Sequence, residues 1–254
     1  MQNFDDQMHT MVQSSDGSYT AYSKQYEEHY HSTKDGALQE SLFKHVIPAL
    51  DIKKDQGEII LLDICFGLGF NTLATLYYKE LKGLNTKLKI YSPELDAQLI
   101  ESLRNFEYPK EFQKYKTIIE ELIEKGFYKD AQISIELFVG DAREYVQRFD
   151  KVFDVVYQDA FSPASNPLLW TKEYFNDIAQ AMKNDGLLTT YSTALATRLA
   201  LYENGFVIYL NKGEGYRNST LATLGSLEKY EVVDMKHKIA CNPDAKPLYD
   251  TYKP

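Results

Sequence analysis

The chain has 254 residues, of which 44% are hydrophobic and 26% charged, with a formal net charge of −9; this is the composition of a globular domain large enough to bury roughly 70–75% of its unfolded surface. No run approaches the ~18 apolar residues of a membrane helix, the acidic, polar start MQNFDDQMHT is no secretory signal, and two cysteines, Cys65 and Cys241, supply neither a disulfide framework nor a metal-ligand pattern, so a cytoplasmic protein without a metal is expected. The negative charge argues against a surface coated in nucleic-acid contacts but leaves room for a local basic patch.

Residues 1–50 read as an N-terminal extension packed on the main domain. Alternation around Tyr19 and Tyr22 predicts short strands, and DGALQESLFKHVIPAL predicts a helix that starts after Gly36 and is stopped by Pro48. From residue 58 a strand–helix rhythm begins: EIILLDI, then the helix FNTLATLYYKEL, the strand KLKIYSPE, and a helical stretch YPKEFQKYKTIIEELIEKGF. The strand ISIELFVGD, the short helix AREYVQRF and the strand VFDVVYQDAF follow. Next come the helix NPLLWTKEYFNDIAQAM closed by KNDG, the strand GLLTTYS, and the helix ALATRLALYENG. FVIYLNK and STLATLGS then follow one another with no helix between them, which predicts an antiparallel pair at the end of an otherwise parallel sheet covered on both faces. The expected main domain is 51–225, and 226–254 is a polar C-terminal tail.

The first strand ends DICFGLGFNTL, residues 63–73. Gly67 and Gly69 let backbone pass close under a ligand, and in an open parallel sheet ligands sit beyond the carboxyl ends of the strands. A dinucleotide fingerprint would place a third glycine where Thr72 stands. An acid at the turn, Asp63, suits a cationic ligand better than a diphosphate, and the ammonium and sulfonium of S-adenosylmethionine fit. Two further acids close the next two strands. Glu94 in SPELD can accept both ribose hydroxyls, and Asp141 in VGDAREY can accept the adenine amino group. Each acid also has a purely structural reading, as a helix cap or a dipole partner; three in succession behind a two-glycine turn describe an adenosine pocket. Phe66 and Asn71 at the turn, and Ala142 beside Asp141, are counted with that pocket.

The fourth strand ends YQDAFSPASNPLLW. A carboxylate here, Asp159, can orient an acceptor amine in line with a sulfonium methyl and draw off its proton. Ser162 and Pro163 read as a helix cap and first position. Phe161, Pro163, Asn166, Trp170 and, from the fifth strand, Tyr191 are the candidate substrate mouth.

These motifs, with HSTKDGALQES and GLLTTYSTALATRLALYENGF, resemble the methyltransferase half of the bacterial tRNA 5-methylaminomethyl-2-thiouridine biosynthesis bifunctional protein family over roughly residues 19–225. The resemblance implies a Rossmann-like α/β methyltransferase that uses S-adenosyl-L-methionine to methylate the aminomethyl nitrogen of the tRNA wobble uridine. It implies Gly67, Gly69, Glu94, Asp141 and Asp159 as cofactor and reaction residues, and Glu40 as an acid near the methionine end. The family's flavin-dependent oxidase half is not in these 254 residues, so that activity is expected from a separate protein. The family's basic stretch after the last helix reads KGEGYRNST here, which leaves Lys212 and Arg217, with Arg198 on the preceding helix, as the candidate rim for tRNA phosphates. Two other readings of the acidic pocket are a small-molecule or polyamine-type amine N-methyltransferase and a cofactor-binding relative without catalysis.

Overall fold

A computed structural model of the chain describes Phe4 and residues 7–251; the remaining residues of the expected N-terminal extension and of the tail lie outside these. An antiparallel meander comes first: β1 (His9–Gln13), β2 (Tyr19–Ser23) and β3 (Glu28–His29). Then α1 (Ala37–Glu40) passes into a π-helical segment, Ser41–Val46, and on into α2 (Ile47–Lys53). Pro48 therefore lies inside a continuous helical run where the sequence predicts a stop. Proline has no N–H to donate to the turn before it, and the carbonyl of Phe43 in that turn accepts from Asn211 Nδ2 at 3.0 Å.

The large sheet takes its first strands from β4 (Glu58–Ile64) and β5 (Lys87–Glu94), connected by α3 (Phe70–Leu81). Beyond α4 (Ala97–Ser102) and α5 (Lys116–Lys125) the chain adds an unpredicted strand, β6 (Phe127–Lys129), antiparallel to β7 (Ile133–Val139). After α6 (Ala142–Val146) it returns to β8 (Phe153–Gln158), then α7 (Lys172–Ala181), β9 (Met182–Thr190) and α8 (Leu195–Glu203). The predicted antiparallel pair is β10 (Val207–Asn211) and β11 (Ser219–Thr223). The tail adds β12 (Glu231–Val232), paired with β10, and α9 (Met235–Cys241). Among the described residues the strand order is β12-β10-β11-β9-β8-β4-β5-β7-β6. The pairs β4–β5, β5–β7, β4–β8 and β8–β9 are parallel.

Side chains of β4 alternate between two cores. Ile59 and Leu61 pack with Leu73 and Leu76 of α3 and with Ile119 and Leu122 of α5. Leu62 and Ile64 pack on the other face with Tyr174, Phe175 and Ile178 of α7 and Leu199 of α8. Both faces being covered accounts for the near-continuous apolar run of this strand. The predicted helix 166–182 is broken in two: a 3-10 turn at Pro167–Trp170 precedes α7, whose cap is Thr171, its hydroxyl accepting the Tyr174 N–H at 3.2 Å. Strand β9 already begins at Met182, so KNDG lies within the strand and not in a loop.

The topology decides where a ligand can sit. From β4 the chain runs outward through β5 and β7, then crosses back to β8 on the other side of β4. Ile64 and Gln158 are register partners at the ends of β4 and β8. The crevice at such a reversal lies beyond the carboxyl ends of the two strands.

Candidate active site

A cleft of about 1390 Å³ opens there. Its floor is the turn after β4. Cys65, Gly67 and Gly69 have φ of +64°, +55° and +76°, and Gly69 starts α3. A Cβ on Gly69 would meet the Phe66 ring at 2.8 Å, and one on Gly67 would meet Tyr30 at 3.2 Å. The two glycines thus let the turn be sandwiched between Phe66 and the meander's Tyr30.

Glu94 ends β5 and holds this turn in place. Its Oε2 accepts the Gly67 N–H at 2.8 Å and its Oε1 accepts the Asp96 N–H at 2.9 Å. Burial raises the Glu94 pKa, and those backbone N–H bonds work against it. A carboxylate has about four acceptor positions, so these backbone bonds do not exhaust its capacity to accept a ribose hydroxyl. Asp141 lines the cleft after β7, and its Oδ1 caps α6 by accepting the Arg143 N–H at 2.7 Å. The structural and the functional readings of Asp141 are compatible in this geometry.

At the other end, Asp159 follows β8. Its Oδ2 accepts from Asn71 Nδ2 at 2.8 Å and its Oδ1 lies 3.4 Å from Nε2 of the fully buried His45. Burial pushes the Asp159 pKa up, but the opposing pull of His45, His31 and Asn71 prevails and holds it at about 2. The carboxylate is therefore ionised on the wall of the cleft. Phe161 stacks on Tyr26 with ring centroids 4.5 Å apart and touches Tyr30 at 4.9 Å. Tyr191 donates to the Ala160 carbonyl at 3.0 Å. Glu40 is buried and accepts from Lys44 Nζ at 2.6 Å and from the Ser32 N–H.

Of the residues predicted from sequence, the structure brings Glu40, Phe66, Gly67, Asn71, Glu94, Asp141, Ala142, Asp159, Phe161, Asn166, Tyr191 and Arg217 to the wall. Others stand behind it. Asp63 is buried and pinned by the Thr72 hydroxyl at 2.8 Å; burial pushes its carboxyl up to about 8, so at neutral pH it is mostly uncharged and does not present a carboxylate to a cation. Gly69 lies beneath Phe66. Trp170 is buried and holds the mouth from behind, donating its indole N–H to the Phe161 carbonyl at 2.7 Å. Pro163 is not among the wall residues. Lys212 is exposed and paired with Glu231 at 2.5 Å. Arg198 is no rim residue: it is 8% exposed and donates from Nε to Thr220 Oγ1 at 3.1 Å.

Sequence reasoning passed over His31, His45, Tyr26, Tyr30 and Glu28. All come from the N-terminal 50 residues, whose density of histidine and tyrosine was the available signal.

The cleft fits S-adenosyl-L-methionine on its own atoms. Asn71 Oδ1 is buried without a hydrogen-bond partner, an unused acceptor for a cationic or N–H donor. The backbone at Gly67 carries no side chain that would fill the floor, and Glu94 keeps acceptor capacity for a ribose.

Comparison with known proteins agrees. A family described as S-adenosyl-L-methionine-dependent methyltransferase matches residues 106–225. An uncharacterized protein of Methanocaldococcus jannaschii is 35% identical over 84% of this chain and 59% of its own length. The tRNA 5-methylaminomethyl-2-thiouridine biosynthesis bifunctional protein MnmC of Azoarcus sp. is 27% identical over 80% of this chain, which spans 33% of that protein. The crystal structure of MnmC2 from Aquifex aeolicus matches with a TM-score of 0.81 and 30% identity, covering 98% of this chain and 81% of that one. Likeness of that depth over nearly the whole length places the chain in the MnmC2 family of Rossmann-like, S-adenosyl-L-methionine-dependent methyltransferases.

Proposed function

We propose that this enzyme methylates the aminomethyl nitrogen of 5-aminomethyl-2-thiouridine at the tRNA wobble position, giving 5-methylaminomethyl-2-thiouridine. The observation that carries the amine is Asp159, an ionised carboxylate fixed by Asn71 and His45 at the end of the cleft opposite Glu94. The tRNA rests on the names of the bifunctional relatives and on the likeness to MnmC2.

The bound cofactor supplies an electrophilic methyl group on a sulfonium. Glu94 holds the ribose diol, Asp141 and Ala142 the adenine edge, and the Gly67 turn with Asn71 and Glu40 the amino-acid end. Asp159 accepts a hydrogen bond from the amine and turns its lone pair toward the methyl carbon, the positioning that makes a displacement effectively intramolecular. Phe161, backed by Tyr26, offers a ring face to a base swung out of its stack, the usual way single-stranded RNA is read.

The acidic lining favours a second reading. Glu28, Glu40, Glu94, Asp96, Asp141 and Asp159 face the cleft against Lys44, Arg143 and Arg217, and a free cationic amine would be drawn to it. Transfer of labelled methyl to tRNA lacking the modification, set against free amines, tests both. The proposal expects label in tRNA at the wobble uridine; label in free amines alone would replace it with the second reading.

A further inference from the structure

His45 is a fully buried histidine one layer below the reacting end. The π-helical segment Ser41–Val46 carries it between α3 and β9, and single π turns recur at functional sites. Its Nδ1 lies 2.8 Å from Thr189 Oγ1 of β9. Its Nε2 has no close hydrogen-bond partner and faces Asp159 Oδ1 at 3.4 Å. With the proton on Nδ1 donated to Thr189, Nε2 presents a lone pair to the carboxylate. A buried imidazole left in that arrangement has room for one more proton and one route by which to receive it.

An acceptor amine needs such a route. An alkylammonium near the lysine value of about 10 arrives protonated at neutral pH and must shed a proton before nitrogen can attack. Asp159 touches the cleft but alone is a weak base, its carboxyl held at about 2. Nε2, without a hydrogen-bond partner and 3.4 Å from Oδ1, gives a proton delivered to Asp159 an adjacent lone pair to move onto.

We propose that His45 is a positioning residue for methyl transfer, taking up through Asp159 the proton that the acceptor amine sheds and holding the carboxylate ionised toward the cleft. The proposal rests on the reading that the acceptor is an amine. The N–H bond breaks and its electron pair stays on nitrogen as the attacking lone pair. That pair forms the N–C bond to the methyl while the C–S bond breaks, its electrons remaining on sulfur as a thioether. The proton rests on the His45–Asp159 pair and leaves to solvent through the cleft. Other groups face this pair. His31 is pulled down by burial and tied at Nδ1 to Thr20 Oγ1 at 3.2 Å. Glu40 and Lys44 lie on His45's own helical run, Asp63 lies behind Asp159, and Tyr157 touches the His45 ring at 5.6 Å. Among the described histidines, His45 is the one paired with the carboxylate, at 3.4 Å, so His31 serves as the control.

The test uses the full chain and an acceptor that the wild type methylates. Calorimetry gives the cofactor Kd, and steady-state rates give kcat and KM against pH. Imidazole NMR without cofactor gives the titration of His45 in the wild type, His45→Gln, His31→Gln and Asp159→Asn. His45→Gln keeps a polar partner for Thr189 and cannot titrate. It is expected to bind cofactor within about twofold of the wild type, to lose about 10²-fold or more in kcat with little change in KM, and to lose the acid limb of the kcat profile. Asp159→Asn is expected to move the His45 resonance to a lower pH, an arm that stands even if His45→Gln fails to fold. Wild-type kcat and pH profile in His45→Gln, a His45 titration unmoved by Asp159→Asn, or loss of the acid limb in His31→Gln alone would each overturn the inference. Failure of the wild type to methylate any amine would instead overturn the functional reading, and this inference with it.

Discussion

Glu28 of β3 grips Ser162 across the cleft. Its Oε2 accepts the Ser162 N–H at 2.9 Å, while its Oε1 accepts from the Ser162 hydroxyl and, at 2.8 Å, from that of Ser165. The two-residue strand of the meander thereby fixes the loop that carries Asp159 and Phe161. Hydrogen bonds to a charged group contribute about 1.5–3 kcal/mol. Glu28→Ala is expected to lower kcat/KM for the acceptor at least tenfold while the cofactor Kd stays within about twofold. Parallel loss of cofactor affinity would show that Glu28 supports the whole cleft and not this loop.

Glu94→Ala is expected to weaken cofactor binding by about 1.5–3 kcal/mol, the range for hydrogen bonds to a charged group, read by calorimetry. The same change orphans the Gly67 and Asp96 N–H groups, so a lower unfolding midpoint accompanies it. A folded variant with an unchanged Kd would remove Glu94 from the cofactor site.

Asp63 sets a pH dependence of stability. Burial pushes its carboxyl up to about 8, whereas in the unfolded chain it ionises near 4. Between those values the folded state holds a proton that the unfolded state has lost. The contribution is therefore complete below about pH 4 and is lost as pH rises toward 8. Asp63→Asn has no such proton to lose, so its denaturant midpoint relative to the wild type should climb from pH 5 to pH 8. A constant difference over that window would mean that the carboxyl is not held neutral.

Of the proposed rim cations, Arg217 is the one on the cleft wall. Its side chain is 72% exposed and its closest carboxylate, on Asp35, is 3.8 Å away. Arg217→Glu is expected to raise KM for tRNA and to reduce the salt slope by about 0.7, one phosphate contact on a single strand. Lys212→Glu, away from the wall, should do much less, and methylation of a free amine should be indifferent to both. Equal effects of the two reversals would point to a diffuse field and not to a contact.

Glu94, Asp141 and Asp159 could be found in the sequence because a parallel sheet delivers the carboxyl ends of its strands to one edge, so an acid that closes an apolar run is placed by topology alone. Glu28 and His45 could not. Their partners lie 134 and 144 residues away in the chain at Ser162 and Thr189, and no local pattern encodes how a short meander folds over a distant loop. The π-helical segment shares its apolar spacing with an α-helix, so it is invisible to periodicity. Arg198 reads as an exposed cation on a helix, yet that helix turns the residue inward toward Thr220. Asp63 was correctly placed at the end of a strand, but its burial, which removes its charge, depends on packing that the sequence does not display.

The most direct test of the account is methyl transfer by Asp159→Asn under saturating cofactor. The variant keeps the shape of the side chain and its contact with Asn71 but cannot carry the charge. If Asp159 orients the acceptor amine and draws off its proton, the rate falls by about 10² to 10⁴-fold while the cofactor Kd stays within about twofold. A variant that keeps the wild-type rate at saturation and binds cofactor poorly would contradict the account, and would make Asp159 a cofactor ligand only.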